Sequence, residues 1–106
     1  MFSSDHRENN LIVRLEEELN YFNSTEIKEK IKKEVTENTE QIILILTEVK
    51  RMDSSGVGVI ISLLKYMEGK KVILINPQPN IARIFEITRL NQIIEIYPSL
   101  EEALKA

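Results

Sequence analysis

Ile42-Ile43-Leu44-Ile45-Leu46-Thr47-Glu48-Val49-Lys50-Arg51-Met52-Asp53-Ser54-Ser55-Gly56-Val57-Gly58-Val59 carries the architecture of this chain. Its first five residues are apolar on both faces, rich in β-branched side chains, and too short for a free helix. That is the pattern of a central parallel strand covered on both sides. The polar, glycine-bearing loop that follows opens a second apolar run. There Val59, Ile60, Leu63, Leu64 and Met67 recur at helical spacing, which predicts a helix over 57–67 that stops near Gly69. Lys71-Val72-Ile73-Leu74-Ile75-Asn76 then repeats the buried-strand pattern.

The same alternation extends in both directions. Upstream, Leu11, Val13 and Leu15 alternate with Ile12, Arg14 and Glu16, the period of a strand wet on one face and close to a sheet edge. Asn9-Asn10 offers a tight turn, because Asn tolerates positive φ, so residues 2–8 can pair back antiparallel as a short first strand. Asn23-Ser24-Thr25-Glu26 is a helix start with Asn23 as cap and Glu26 reaching back. Phe22 and Ile27 stand at the spacing of a hydrophobic staple. Ile27, Ile31 and Val35 form the apolar stripe, with Glu26–Lys30 and Glu29–Lys33 as supporting ion pairs. Downstream, Pro77-Gln78-Pro79-Asn80 is a loop in which Asn80 can cap a helix carrying Ile81, Ile84, Phe85 and Thr88. Residues 93–97 read as a last strand, and Ser99-Leu100-Glu101-Glu102 as a capping box for a short terminal helix. The order β(β)αβαβαβα, with no linker or internal repeat, makes residues 1–106 one α/β domain whose helix-connected strands run parallel.

Composition narrows the function. The chain of 106 residues has 14 Lys and Arg against 17 Asp and Glu, a net charge of −3, which speaks against nucleic acid or an anionic membrane as partner. There is no Cys, hence no thiolate nucleophile or sulfur-based zinc site. The one His, His6, lies in the polar N-terminal stretch, and a Ser-His-Asp relay or a His-ligated metal would have to recruit it. No apolar run approaches the ~20 residues that span a bilayer, and the N-terminus has no secretory pattern. The expected compartment is the cytoplasm, and no cofactor or metal is expected.

The loop Met52-Asp53-Ser54-Ser55-Gly56-Val57-Gly58 is the most informative segment. In an open α/β sheet, ligands and partners collect beyond the carboxyl ends of the strands. A purely structural account has Asp53 or Ser54 capping the helix and the glycines allowing a tight turn and close packing. A dinucleotide loop fails, because Ile61 stands where a third glycine is needed, and there is no Gly-Lys-Ser/Thr phosphate loop. A nucleophilic serine lacks a base that the sequence places beside it, although Lys50 and Lys65 exist. A phosphorylation switch needs only an exposed serine on the loop, to which phosphate adds roughly −1.5 to −2 charges.

Residues 42–59 resemble the signature of the STAS domain (sulphate transporter and anti-sigma factor antagonist), an apolar strand, an Asp-Ser-Ser/Thr/Ala-Gly-Leu-Gly loop and an apolar helix. Residues 13–24 resemble the family's second strand and its Gly-Glu-Leu-Asp run, 81–90 its third helix, and 98–103 its ending. The resemblance covers nearly the whole chain. It implies a mixed sheet of four or five strands, with about four helices largely on one face. It also implies a bacterial, non-enzymatic anti-sigma factor antagonist, which binds an anti-sigma factor that is also a serine kinase. Phosphorylation of the first serine after the Asp switches such a protein off, and a serine phosphatase restores it. Carried over, the acceptor is Ser54, Asp53 is its acidic neighbour, and Met52, Asp53, Ser54, Ser55, Gly56, Val57 and Gly58 form the partner-binding loop.

Four positions depart from that pattern. Asn20 replaces an acidic residue near the loop, keeping hydrogen bonding but not charge, and stands as a supporting residue behind it. Ile45 replaces a polar residue of the central strand. Arg89 replaces a glycine after the third helix, which implies a different helix ending or strain. Glu17 replaces a glycine and would alter a local bulge. Besides the phosphorylated antagonist, two readings stay open. One is a non-phosphorylated STAS adaptor in a stress-signalling or membrane transport complex. The other is a small enzyme or ligand carrier.

Overall fold

The computed structural model of the chain describes residues 2–106. Ten elements follow one another: β1 (Phe2–Arg7), β2 (Asn10–Leu15), α1 (Ser24–Glu34), β3 (Gln41–Ile45), α2 (Ser54–Tyr66), β4 (Lys71–Ile75), α3 (Pro79–Ile87), a 3₁₀ turn (Leu90–Gln92), β5 (Glu95–Tyr97) and α4 (Leu100–Lys105). The five strands lie in chain order, with β1 antiparallel to β2 and every later pair parallel. This is the mixed α/β architecture that the periodicities imply.

Strand period two sorts the side chains into two cores. Leu11, Val13, Leu15, Ile42, Leu44, Val72 and Leu74 face α1, α2 and α3, where they meet Ile27, Ile31, Val59, Ile60, Leu63, Ile81 and Phe85. Ile12, Ile43, Ile45, Ile73 and Ile75 face the other way, onto Ala103 of α4 and the half-buried Tyr97 and Leu100. Burying such an aliphatic side chain stabilises by about 1.5–3 kcal/mol. The in-register rows Leu11–Ile42–Val72 and Val13–Leu44–Leu74 therefore fix the strand alignment, since a one-residue slip would exchange the two faces.

Several local expectations change. β2 is not wet on one face: Ile12 is buried beneath α4 and Arg14 is the exposed residue of that face. Helices do lie largely on one face, as expected, with α1, α2 and α3 there; the short α4 alone closes the second core. The hairpin turns at Glu8-Asn9, with Arg7 paired to Asn10, and the positive φ of 55° falls on Glu8 rather than on an Asn. α2 begins at Ser54, three residues earlier than its apolar stripe, because Asp53 caps it. α3 begins at Pro79 with Gln78 as cap, and the Asn80 side chain donates to the Lys50 carbonyl instead. β5 is confined to Glu95–Tyr97. Among the described residues, Glu26–Lys30 and Glu29–Lys33 do not close as ion pairs; Lys30 lies over the Phe2 ring. α2 ends with Met67 as its C-cap, and the residue that turns to positive φ just beyond is Glu68, at 48°, with Gly69, at 91°, following it. The Ser99 hydroxyl accepts from the Glu102 amide at 3.2 Å.

Candidate functional site

The loop 46–53 leaves the carboxyl end of β3 and is tied to the loop after β2. Leu19 and Met52 form an isolated parallel bridge. The Leu19 amide donates to the Arg51 carbonyl at 3.2 Å, and the Asp53 amide to the Leu19 carbonyl at 3.1 Å. Two loops far apart in sequence are thereby joined as a short extension of the sheet. Gly56 makes the approach feasible: a Cβ there would stand 2.5 Å from Met52 Cγ and 2.9 Å from Leu19 Cβ, well inside the 3.5–4.0 Å optimum for carbon atoms.

Asp53 works with both carboxylate oxygens. Oδ1 accepts from the amides of Ser55 at 2.8 Å and Gly56 at 3.4 Å, which caps α2. Oδ2 accepts from the Tyr21 amide at 3.0 Å. One side chain thus satisfies two of the orphan donors of the helix and holds the β2–α1 loop against it.

That loop has its own frame. Asn20 Oδ1 accepts from the amides of Phe22 at 2.9 Å and Asn23 at 3.2 Å. Asn23 Oδ1 accepts from the Asn20 amide at 2.9 Å, and its Nδ2 donates to the Glu18 carbonyl. Asn23 is therefore not the side-chain cap of α1, because its amide is spent on the loop behind it. Nor does Phe22 staple that helix: it is 92% exposed, and Tyr21 is 75% exposed. Their rings meet edge to face with centroids 5.7 Å apart.

The loop residues fall into two groups. Asp53, Ser54 and Gly58 are exposed and Ser55 is half-exposed. Met52 and Gly56 are turned into the core, and Val57 is half-buried against it. Met52 and Gly56 hold the loop rather than present a surface, and Val57 is shared between core and surface. Ser54 opens α2, and no protein hydrogen bond to its hydroxyl occurs among the described residues. Asn20 and Asp53 line one groove of about 380 Å³ with Glu18, Arg51 and Asn80. Ser55 and Gly58 line another of about 330 Å³ with Tyr21, Ser24 and Lys28. His6 lies 3.4 Å from Glu34, bridging β1 and α1 rather than approaching either serine.

The remaining departures have local explanations. Ile45 faces α4, away from the three-helix core that carries the Ser54 loop. Arg89 adopts the left-handed conformation, φ 61°, that a glycine there would take without strain. Glu17 sits in a bend outside the paired strands, and its φ is not positive. The Asx-type frame built by Asn20 and Asn23 is a feature that sequence reading missed; the signal was the Asn-x-x-Asn spacing itself.

The STAS domain family model matches residues 2–103. The chain belongs to the STAS domain family. The anti-sigma F factor antagonist of Paenibacillus polymyxa is 30% identical to this STAS domain over 103 residues, covering 94% of this chain and 88% of that protein. The chain spans about 59% of the length of the first curated relatives it matches, both from Thermotoga. Among solved structures, a Thermotoga maritima protein described as a candidate anti-sigma factor antagonist superposes with a TM-score of 0.91. It is 28% identical and covers 98% of this chain and 92% of that one. The Bacillus cell-fate determinant SpoIIAA, solved in its phosphorylated form, gives a TM-score of 0.77 at 26% identity, covering 99% and 97%. No helix among the described residues of this STAS domain is long and apolar enough to cross a membrane.

Proposed function

We propose that this chain is an anti-sigma factor antagonist of the cytoplasm. Its docking face is the loop end around Asp53, Ser54, Ser55 and Gly58, and phosphorylation of Ser54 by the anti-sigma factor, acting as a serine kinase, switches it off. A serine phosphatase resets it, and the chain itself catalyses nothing. The observation that carries the reading is the placement of Ser54. It is exposed, it opens α2, and it stands next to a carboxylate whose two oxygens are already committed to amides. The relatives named anti-sigma factor antagonists, and the phosphorylated state of SpoIIAA, support the reading.

The chemistry is consistent. An unmodified Ser54 offers a small neutral hydroxyl to a kinase. A phosphate adds roughly −1.5 to −2 charges. Asp53 already occupies the Ser55 and Gly56 amides that could neutralise it. At the centre of a contact it would have to be desolvated, and it would face the phosphates of a nucleotide held by the kinase. Asn20 supports this face through the backbone of Phe22 and Asn23.

The test is intact-mass spectrometry after incubation with ATP and the serine kinase encoded nearest the gene, with Ser54→Ala in parallel. One phosphate on the natural chain and none on the variant is the expected result. Measurable binding without any phosphate would refute the switch and favour the non-phosphorylated adaptor.

A further inference from the structure

We infer that the aromatic pair Tyr21–Phe22 and the bare helix surface at Gly58 form the anchoring groove for the protein partner, which meets it with a basic rim and an apolar pocket for Phe22. This rests on the loop end being the docking face and adds the chemistry of what binds there.

The first observation is the exposure of Phe22 and Tyr21, 92% and 75%. Aromatic rings gain much from burial, and residues of this kind dominate binding energy when they are buried by a partner. The pair is also held in place. The Tyr21 amide donates to Asp53 Oδ2 at 3.0 Å, the Phe22 amide to Asn20 Oδ1 at 2.9 Å, and the two rings brace each other. A preorganised anchor loses little entropy on docking.

The second observation is independent. Gly58 lies within α2, is exposed, and its φ is not positive. A Cβ at Gly58 would find nothing within 4 Å. Neither packing nor backbone conformation calls for glycine there, and alanine would favour the helix. What glycine supplies is a surface without a side chain, on the groove shared with Tyr21, Ser24, Lys28 and Ser55. A partner chain can then lie directly against the helix backbone.

Charge identifies the partner. Lys28 is the one charged residue that lines the groove. Segments 16–28 and 46–59, which supply its lining, carry six carboxylates and three cations, whereas the rest of the chain carries 11 carboxylates and 11 cations. The excess negative charge of the molecule is concentrated at this end, complementary to a basic protein surface. Carboxylates at the rim steer encounter and cost little. A phosphate on Ser54, in the middle, must be desolvated, so a basic rim is compatible with shut-off by phosphorylation.

The experiment measures binding of the ADP-loaded kinase encoded nearest the gene by biolayer interferometry. The immobilised proteins are the natural chain, Phe22→Ala, Gly58→Leu, and Ile87→Ala at the opposite end of α3, with urea midpoints for each. Phe22→Ala and Gly58→Leu are expected to weaken binding at least tenfold, about 1.4 kcal/mol, without lowering the midpoint. Ile87→Ala should leave binding unchanged, and the association rate of the natural chain should fall as salt rises. If the natural chain binds and both groove variants bind within twofold of it, the inference is overturned. If the natural chain itself does not bind, the proposed function fails and takes this inference with it, a result visible before any variant is compared.

Discussion

Gly56 and Gly58 stand two residues apart on one helix, and the same substitution should move stability in opposite directions. In Gly56→Ala the new methyl would meet Met52 Cγ at 2.5 Å, Leu19 Cβ at 2.9 Å and the Leu19 carbonyl oxygen at 3.0 Å. Met52 would have to retreat by about 1 Å to reach ordinary contact. Leu19 cannot yield without shifting backbone, and that backbone is the bridge joining the two loops. Overpacking of this kind costs about 1–3 kcal/mol, and better helix propensity returns up to about 1 kcal/mol. The expected net loss is about 1–2 kcal/mol, a sizeable part of the roughly 5–15 kcal/mol of a domain this size. Gly58→Ala meets nothing within 4 Å and should gain about 0.5–1 kcal/mol. Urea unfolding followed by circular dichroism measures both, provided the m-value is unchanged. Amide exchange at Leu19 and Asp53 should accelerate only in Gly56→Ala. A Gly56→Ala variant as stable as the natural chain would refute the reasoning, as would a Gly58→Ala variant that is clearly less stable.

Arg89→Gly should stabilise by about 0.5–1 kcal/mol in the same assay: a left-handed non-glycine residue costs roughly 1–2 kcal/mol, of which glycine's unfolded-state entropy returns part, and no gain would mean that φ 61° is unstrained here. Asp53→Ala removes the α2 cap and the Tyr21 tie together, so it should cost about 1–2 kcal/mol and speed exchange at Ser55 and Tyr21; a loss confined to the Ser55 end would show that the tie contributes nothing. Glu95 is held below the usual carboxylate range, first by the Tyr97 hydroxyl at 2.6 Å and then by Lys71 at 3.0 Å. A depressed carboxylate stabilises fully above its unfolded value near 4.5 and loses that contribution as pH falls through its lower folded value. Glu95→Gln should therefore flatten the acid limb of stability below about pH 5, modestly because the pair is partly exposed; an unchanged acid limb would discount the contact.

Much of the site was legible in residue order. The cap was readable as Asp53 or Ser54, because a short acceptor just before an apolar helical run has few other uses, and the fold chose Asp53. Ser99 was readable for the same reason; Gly69 marked the end of α2 only to within a residue, because Glu68 takes positive φ ahead of it. Asn23 was misread although its local signature was as good. Its side chain has two satisfying arrangements, capping α1 or closing the loop with Asn20, and local sequence does not rank them. Phe22 follows from that choice: once Asn23 faces backwards, Phe22 points to solvent instead of stapling onto Ile27.

The sequence by itself determined the element order, the parallel strands, the two-faced burial of the central sheet and the position of the serine loop. All of these are written in short periodicities and in residues with few conformational options. Only the tertiary structure decided which glycine is required, which loop residues face outward, and that α4 seals the second core. It also decided that Asp53 reaches across 32 positions to Tyr21. Such outcomes depend on distances between segments that the folded sheet brings together, and a pattern confined to neighbouring residues carries no information about those distances.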